Sequence, residues 1–246
     1  MMNNSDWRVQ HRNVIIDFLE FLNKRTDQFV LKGGTALMLC YGLNRFSEDI
    51  DLDGRKQSIK EVVRQFCRIK NFLFSIKKDT PTVCRCMIDY GNAQHPLKIE
   101  VSYRNQCLND QFIDKINGVC VYTIDRLALM KASAYQNRDR LRDLYDLCFI
   151  CNHYFDKLDD QVKNAVIDAV SNKGLDQFDY LLETQADPLI DSDLLASSFL
   201  EMNDRLGLLL DQDDDLISKK APERPEVQFD DLESEKIRAD ERSGGR

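Results

Sequence analysis

Two aspartates one residue apart, Asp49 and Asp51, carry the clearest chemical reading in this chain. The stretch Asp49-Ile50-Asp51-Leu52 alternates polar and apolar residues, as a half-buried strand does. Side chains two apart on a strand share a face, so both carboxylates point one way while Ile50 and Leu52 point to a core. Neighbouring carboxylates repel unless positive charge lies between them or one keeps its proton. A hard divalent cation such as Mg²⁺, typically held by one or two carboxylates plus substrate phosphates, meets that need. Upstream, Phe29 to Leu31 is a short apolar run with strand character, Gly33-Gly34 ends it, and Thr35 to Tyr41 reads as a helix. Glycine lacks a Cβ, so its backbone can approach a phosphate closely. A helix start adds free N–H groups and a positive dipole end. The two halves together suit a metal-bound nucleoside triphosphate.

The elements that must position these groups follow from periodicity. Trp7 to Lys24 carries Val14, Ile15, Phe18, Leu19 and Leu22 at helical spacing, with His11 expected on its exposed side. Ser58 to Lys70 is a second amphipathic helix, with Ile59, Val62, Val63, Phe66 and Ile69 in register. Three strand-like runs follow, Asn71 to Lys77, Val83 to Asp89 and Leu97 to Tyr103, and turn signals at Gly91-Asn92 and His95-Pro96 predict a hairpin between the last two. In the third run Lys98 and Glu100 share a face. Val119 to Tyr122 is a short strand, and Thr123 begins a helix towards Ala134. On one continuous helix Lys131, Tyr135, Arg138, Arg142 and Asp146 would line a single face, and a break near Gln136-Asn137 would spoil that register. Beyond Leu158 the chain reads as helices only, over 162–170, 175–182 and 189–210.

Bulk properties narrow the class. With 246 residues, 43% hydrophobic and 31% charged, the chain is long enough for one large core or two small ones. It has no apolar run of membrane-spanning length and no signal-like apolar segment near its start, which predicts a cytoplasmic protein. Eight cysteines are scattered, and neither Cys84-x-Cys86 nor Cys148-x-x-Cys151 has a second pair at zinc-site spacing, so reduced, buried thiols are expected. The net charge of −8 is uneven: residues 211–246 hold 12 acids against 7 bases. Residues 54–78 hold eight bases against Glu61 alone, either a solvated helix face or a surface for a polyanion.

The combined string Lys32-Gly33-Gly34-Thr35-Ala36-Leu37, then Arg45-x-Ser47-x-Asp49-x-Asp51-Leu52, resembles the AbiEii-type nucleotidyltransferases, the toxin halves of bacterial abortive-infection and toxin–antitoxin pairs. The resemblance implies an α/β fold with a nucleotidyltransferase-like mixed sheet flanked by helices and a helical C-terminal half. It divides the chain into a catalytic core over 1–122, a helical region over 123–210 that contributes to the site, and an acidic tail over 211–246 whose composition predicts disorder. Asp49 and Asp51 would hold Mg²⁺, or Mn²⁺ in its place, and Glu100 would supply the third carboxylate, although relatives often have Asp there. Gly33, Gly34 and Thr35 would cradle the phosphates of an NTP; Arg45 and Ser47 would shape the nucleotide pocket. Lys32 would either hold phosphate or cap its strand, and Lys98 would lie beside Glu100. The later block implies Lys131 and Asp143 as catalytic groups, with Arg142 and Asp146 as binding groups. The implied reaction is transfer of NMP to an acceptor, the 3′ end of tRNA being the favoured one, and the implied partner is an antitoxin. Two other readings stay open at this stage: a nucleotide- or partner-binding module without turnover, and transfer to a small molecule.

Overall fold

The computed structural model describes residues 6–105 and 108–209. The reading of 211–246 as a disordered tail falls outside these residues, as does Cys107. Among the described residues a single seven-stranded mixed sheet runs in the order β3-β4-β5-β2-β1-β7-β6. Its strands are β1 (Phe29–Lys32), β2 (Ile50–Gly54), β3 (Leu73–Asp79), β4 (Val83–Asp89), β5 (Leu97–Ser102), β6 (Ile113–Ile116) and β7 (Val119–Tyr122). β2 and β5 are parallel, as are β1 and β7; the remaining neighbours are antiparallel.

Alternation makes the sheet two-faced. Ile50 and Leu52 on β2, Ile99 and Val101 on β5, and Cys86 and Ile88 on β4 are fully or almost fully buried. Helices α1 (Asp6–Asn23) and α3 (Ile59–Lys70) pack on the sheet and on each other, with Phe18 meeting Phe66 edge-on at 5.2 Å. α3 is held at both ends, by the Ser58 hydroxyl accepting from the Lys60 N–H and by Asn71 in the left-handed region (φ 56°). The other face carries Asp51 and Asp53 from β2 and Lys98, Glu100 and Ser102 from β5, aligned because Asp51 pairs in register with Glu100 and Asp53 with Ser102. A polar row on a central strand is tolerable only beside partners or a cleft.

The helical half follows β7. α4 (Ile124–Asn137), capped by the Thr123 hydroxyl, leads to α5 (Leu141–Tyr154), α6 (Asp160–Ser171), α7 (Gly174–Thr184) and α8 (Ser192–Arg205). α4 packs on α5 and α6, and α5 on α8. No helix among the described residues is long and apolar enough to cross a membrane.

The structure departs from the sequence reading in four places. α2 (Gly33–Cys40) starts at the first glycine, two residues before Thr35, because Gly33 takes φ +75° and lets the strand turn directly into the helix. β6 was not foreseen: Ile113 and Ile116 are its only apolar residues, so it shows no alternation, and it exists by pairing with β7 across the Asn117-Gly118 turn. The last helix spans Ser192–Arg205 and not the whole of 189–210. His11, expected to be exposed, is 1% exposed. Its Nε2 faces the Glu48 carbonyl at 2.7 Å, which can only accept, so Nε2 carries the proton; in the neutral ring Nδ1 then accepts from the Tyr90 hydroxyl, also at 2.7 Å. A helical pattern counts apolar positions and is blind to a polar side chain buried by satisfying both its nitrogens.

His11 thus ties α1 to the loop that presents the aspartates. His11→Phe leaves the Glu48 carbonyl and the Tyr90 hydroxyl without this partner, and should cost about 1–3 kcal/mol in urea denaturation with the fold retained; an unchanged midpoint would contradict the assigned bridge.

Candidate active site

Lys32 ends β1 in register with Asp51, and the chain turns at once into α2. The turn is glycine for packing reasons. A Cβ on Gly33 would stand 3.2 Å from Asp51 Oδ2, and one on Gly34 would stand 2.7 Å from Arg45 Nη2 and 2.9 Å from Ser47 Oγ. Thr35, 1% exposed, donates its hydroxyl proton to the Asp49 carbonyl and lies 2.9 Å from the Ser47 hydroxyl. Its side chain therefore holds the loop 43–49 against α2. Lys32 reaches Asp53 at 2.5 Å, and Asp53 also accepts from the Tyr122 hydroxyl at 2.9 Å.

The acids gather around Lys98. Its ammonium lies 2.5 Å from Asp49 Oδ2, and although burial alone would lower its pKa, the bond to Asp49 and the charges of Asp49, Asp51 and Glu100 raise it. Glu100 is bonded to Arg85 at 2.6 Å. Among the described residues Asp51 has no such bond. Burial first, and then the charges of Asp49 and Glu100, push its carboxyl above the ordinary carboxylate value, against the opposing pull of Lys98 and Lys32.

Among the described residues no group of three His, Cys, Asp or Glu side chains gathers closely enough to hold a metal ion, since Asp49 and Glu100 are each engaged by a cation. The chemistry of the donors nevertheless fits a hard divalent ion: the groups are carboxylate oxygens, and the half-buried Asp51 carries negative charge that its surroundings under-compensate.

Behind the acids runs a chain of alternating charge, buried except at Arg138. Arg45 grips Asp146 with two bonds of 2.7 Å, Asp146 meets Lys131 at 2.6 Å, Lys131 meets Asp143 at 3.1 Å, and Asp143 takes Arg138 at 2.7 Å. Asp146 is 0% and Asp143 2% exposed. Burial alone would raise the Asp143 pKa, but the Arg138 bond and the charges of Lys131 and Arg138 outweigh it and lower the value. Lys131 shows the mirror case: burial opposes its charge, and Asp146 and Asp143 raise its pKa. The continuous-helix register does not occur, because α4 stops at Asn137 and α5 starts at Leu141. The bend brings Lys131 on α4 between Asp143 and Asp146 on α5. Arg142 points elsewhere, to Asp187 at 2.5 Å and Glu48 at 3.8 Å.

A cleft of about 780 Å³ opens over these groups, lined by Gly34, Arg45, Ser47, Asp49, Asp51 and Lys98 from the sheet half and by Lys131, Arg142 and Asp143 from the helical half. Of the residues singled out from sequence, Lys32, Gly33, Thr35, Glu100 and Asp146 do not line this cleft. It also includes Glu48, Arg138, Arg140 and the segment Thr184–Asp187, which sequence reasoning did not assign. Arg138 and Arg140 flank the α4–α5 bend, so a helix break between two arginines was an available signal. The segment Thr184–Asp187 offered none, as only tertiary packing brings it here.

Two outcomes follow. Asp146→Asn removes the charge facing both Arg45 and Lys131, and should cost about 3–5 kcal/mol in chemical denaturation. Asp51→Asn should unfold at higher temperature than the wild type near neutral pH, because a raised folded-state pKa means the ionised form is disfavoured by folding; the gain shrinks as pH falls through that raised value towards 3.8, where both states are protonated. Asp143 has the opposite sign: its contribution is full above 3.8 and is lost as pH falls through its lowered value.

The fold and the family are shared with known proteins. The crystal structure of JHP933 from Helicobacter pylori matches with a TM-score of 0.68 at 27% identity, over 89% of this chain and 99% of that one. A second H. pylori structure, of a candidate nucleotidyltransferase, matches with a TM-score of 0.68 at 29% identity, over 85% and 97% of the respective chains. No curated protein sequence matches. The family model described as the nucleotidyl transferase AbiEii toxin of type IV toxin–antitoxin systems matches residues 19–234, which takes in both the sheet and the helical half, and the chain belongs to that AbiEii nucleotidyltransferase family.

Proposed function

We propose that this chain is a metal-dependent nucleotidyltransferase that moves NMP from an NTP to the 3′ end of an RNA, tRNA in the favoured case. The observation that carries the reading is the cleft of about 780 Å³ that Asp49, Asp51 and Lys98 line beside the glycine turn at Gly34 and the helical-half cation Lys131. A bound divalent ion would be held by Asp49 and Asp51 with Glu100 beside them, and would supply Lewis-acid stabilisation of the triphosphate. Mg²⁺ suits these oxygen donors, with Mn²⁺ as its substitute.

The chain's own groups divide the remaining work. The acceptor hydroxyl oxygen bonds to the α-phosphorus, the bond to the bridging oxygen breaks, and pyrophosphate leaves. Glu100, in register with Asp51 on the neighbouring strand, would take the hydroxyl proton once Arg85 releases it. Lys131, fixed by Asp143 and Asp146, faces the charge that grows on pyrophosphate. Lys98 exchanges its hold on Asp49 for phosphate oxygen, and Arg142 offers a planar fork at the cleft wall. The Gly34 backbone at the start of α2 cradles phosphate, with Gly33 turning the chain into that helix, while Arg45, Ser47, Thr35 and Asp146 hold the pocket wall in place.

The basic block supports an RNA acceptor: Arg55, Lys60, Arg64 and Lys70 are ion-paired within the described residues, but the segment itself holds eight bases against one acid. Membership of a type IV toxin–antitoxin family supports a cognate antitoxin as partner.

Incubation with each labelled NTP, Mg²⁺ and total tRNA, followed by product separation, tests the reading. Labelled RNA is expected, with loss on chelation and a drop of about 10²-fold or more in Asp51→Ala. Label in a small molecule, or NTP bound and unconverted, would replace it.

A further inference from the structure

A second recess, of about 250 Å³, meets Asp51 on the β1 side. Asp51, Lys131 and Arg138 line both this recess and the large cleft, so the three form a partition between them. The recess differs in character from the cleft. Its wall on α4 is apolar, made by Leu127, Met130 and Ala134, with Lys32 and Arg138 at its polar side. Leu127, Met130 and Ala134 recur at helical spacing and so share one face of α4, and Arg138 follows directly on the last residue of that helix.

We propose that this recess receives the terminal nucleoside of the acceptor RNA, with its base on the Met130–Ala134 surface and its phosphodiester beside Lys32 and Arg138. The inference rests on the transferase reading above. Three observations point to it. In-line displacement at phosphorus puts the attacking and leaving oxygens on opposite sides, so an acceptor must approach across the catalytic carboxylate from the triphosphate; the recess lies across Asp51 from the cleft. Its size falls below the roughly 300–1,000 Å³ of pockets that enclose a whole drug-sized ligand, so it fits the end of a longer molecule. An apolar surface with flanking cations matches a nucleotide, which offers a flat base and an anionic backbone. Lys32 then serves the acceptor side of the reaction.

The test fills the recess without touching the cleft. In Ala134→Phe the new ring occupies the α4 wall. Affinity for NTP, read by calorimetry, should stay within about twofold, while KM for RNA should rise about tenfold or more, the scale of losing one stacked base. Met130→Ala removes surface without adding bulk and should raise the same KM should the larger substitution fail to fold. Anisotropy with a 5′-labelled single-stranded RNA should show tighter binding for a free 3′ ribose than for a 3′-phosphorylated end, and Ala134→Phe should erase the difference. Wild-type KM for RNA in a folded variant, or equal binding of both RNA ends, would overturn the recess assignment alone. A wild-type protein that labels no RNA would instead overturn the transferase reading.

Discussion

One electrostatic constraint shapes this molecule: the carboxylate of Asp51 is half-buried beside Asp49 and Glu100, and its charge is only partly offset. Burying a charge is costly unless it is paired. Lys98 carries most of the compensation, with Lys32 adding to it, yet the balance still disfavours the ionised form. Folding therefore keeps a carboxylate whose ionised form its surroundings disfavour. Such a group makes physical sense where a stronger cation and a polyanionic substrate complete the balance.

The surroundings hold that group in place by spending polar side chains on structure. Arg45, Asp146, Lys131 and Asp143 alternate in sign through the interior, each removing the penalty its neighbour would otherwise carry, and the exposed Arg138 closes the chain at the surface. This chain joins the loop before β2 to α4 and α5. The helical half is thereby part of the site, fixed to the aspartate loop by Arg45–Asp146 and Arg142–Glu48. His11 fixes the same loop from the opposite side through the Glu48 carbonyl.

Much of this was legible from local pattern. The alternation through Ile50, Asp51 and Leu52 put Asp51 on the polar face, with Asp49 one residue ahead of β2, and the strand at Val83–Asp89 and the shared face of Lys98 and Glu100 appear as their periodicity dictates. The glycine turn was readable as a turn, but its closest requirement, room for Asp51, Arg45 and Ser47, involves residues far along the chain. The pairing of Asp146 with Arg45 was not legible either, because it depends on a helix break whose angle no spacing encodes. The burial of His11 and the arrival of Thr184–Asp187 at the cleft likewise come from packing between distant elements. Local order set the sheet and its acidic face; the charge network required the tertiary fold.

The central claim is that the acidic face binds a divalent ion together with a nucleoside triphosphate. Anomalous diffraction from crystals grown with Mn²⁺ and a non-hydrolysable NTP tests it most directly. The account expects manganese on the Asp49 and Asp51 carboxylates, the triphosphate in the cleft against Lys131, and Lys98 moved off Asp49. Manganese away from both aspartates, or a nucleotide bound with Lys98 still on Asp49 and the cleft unfilled, would contradict it.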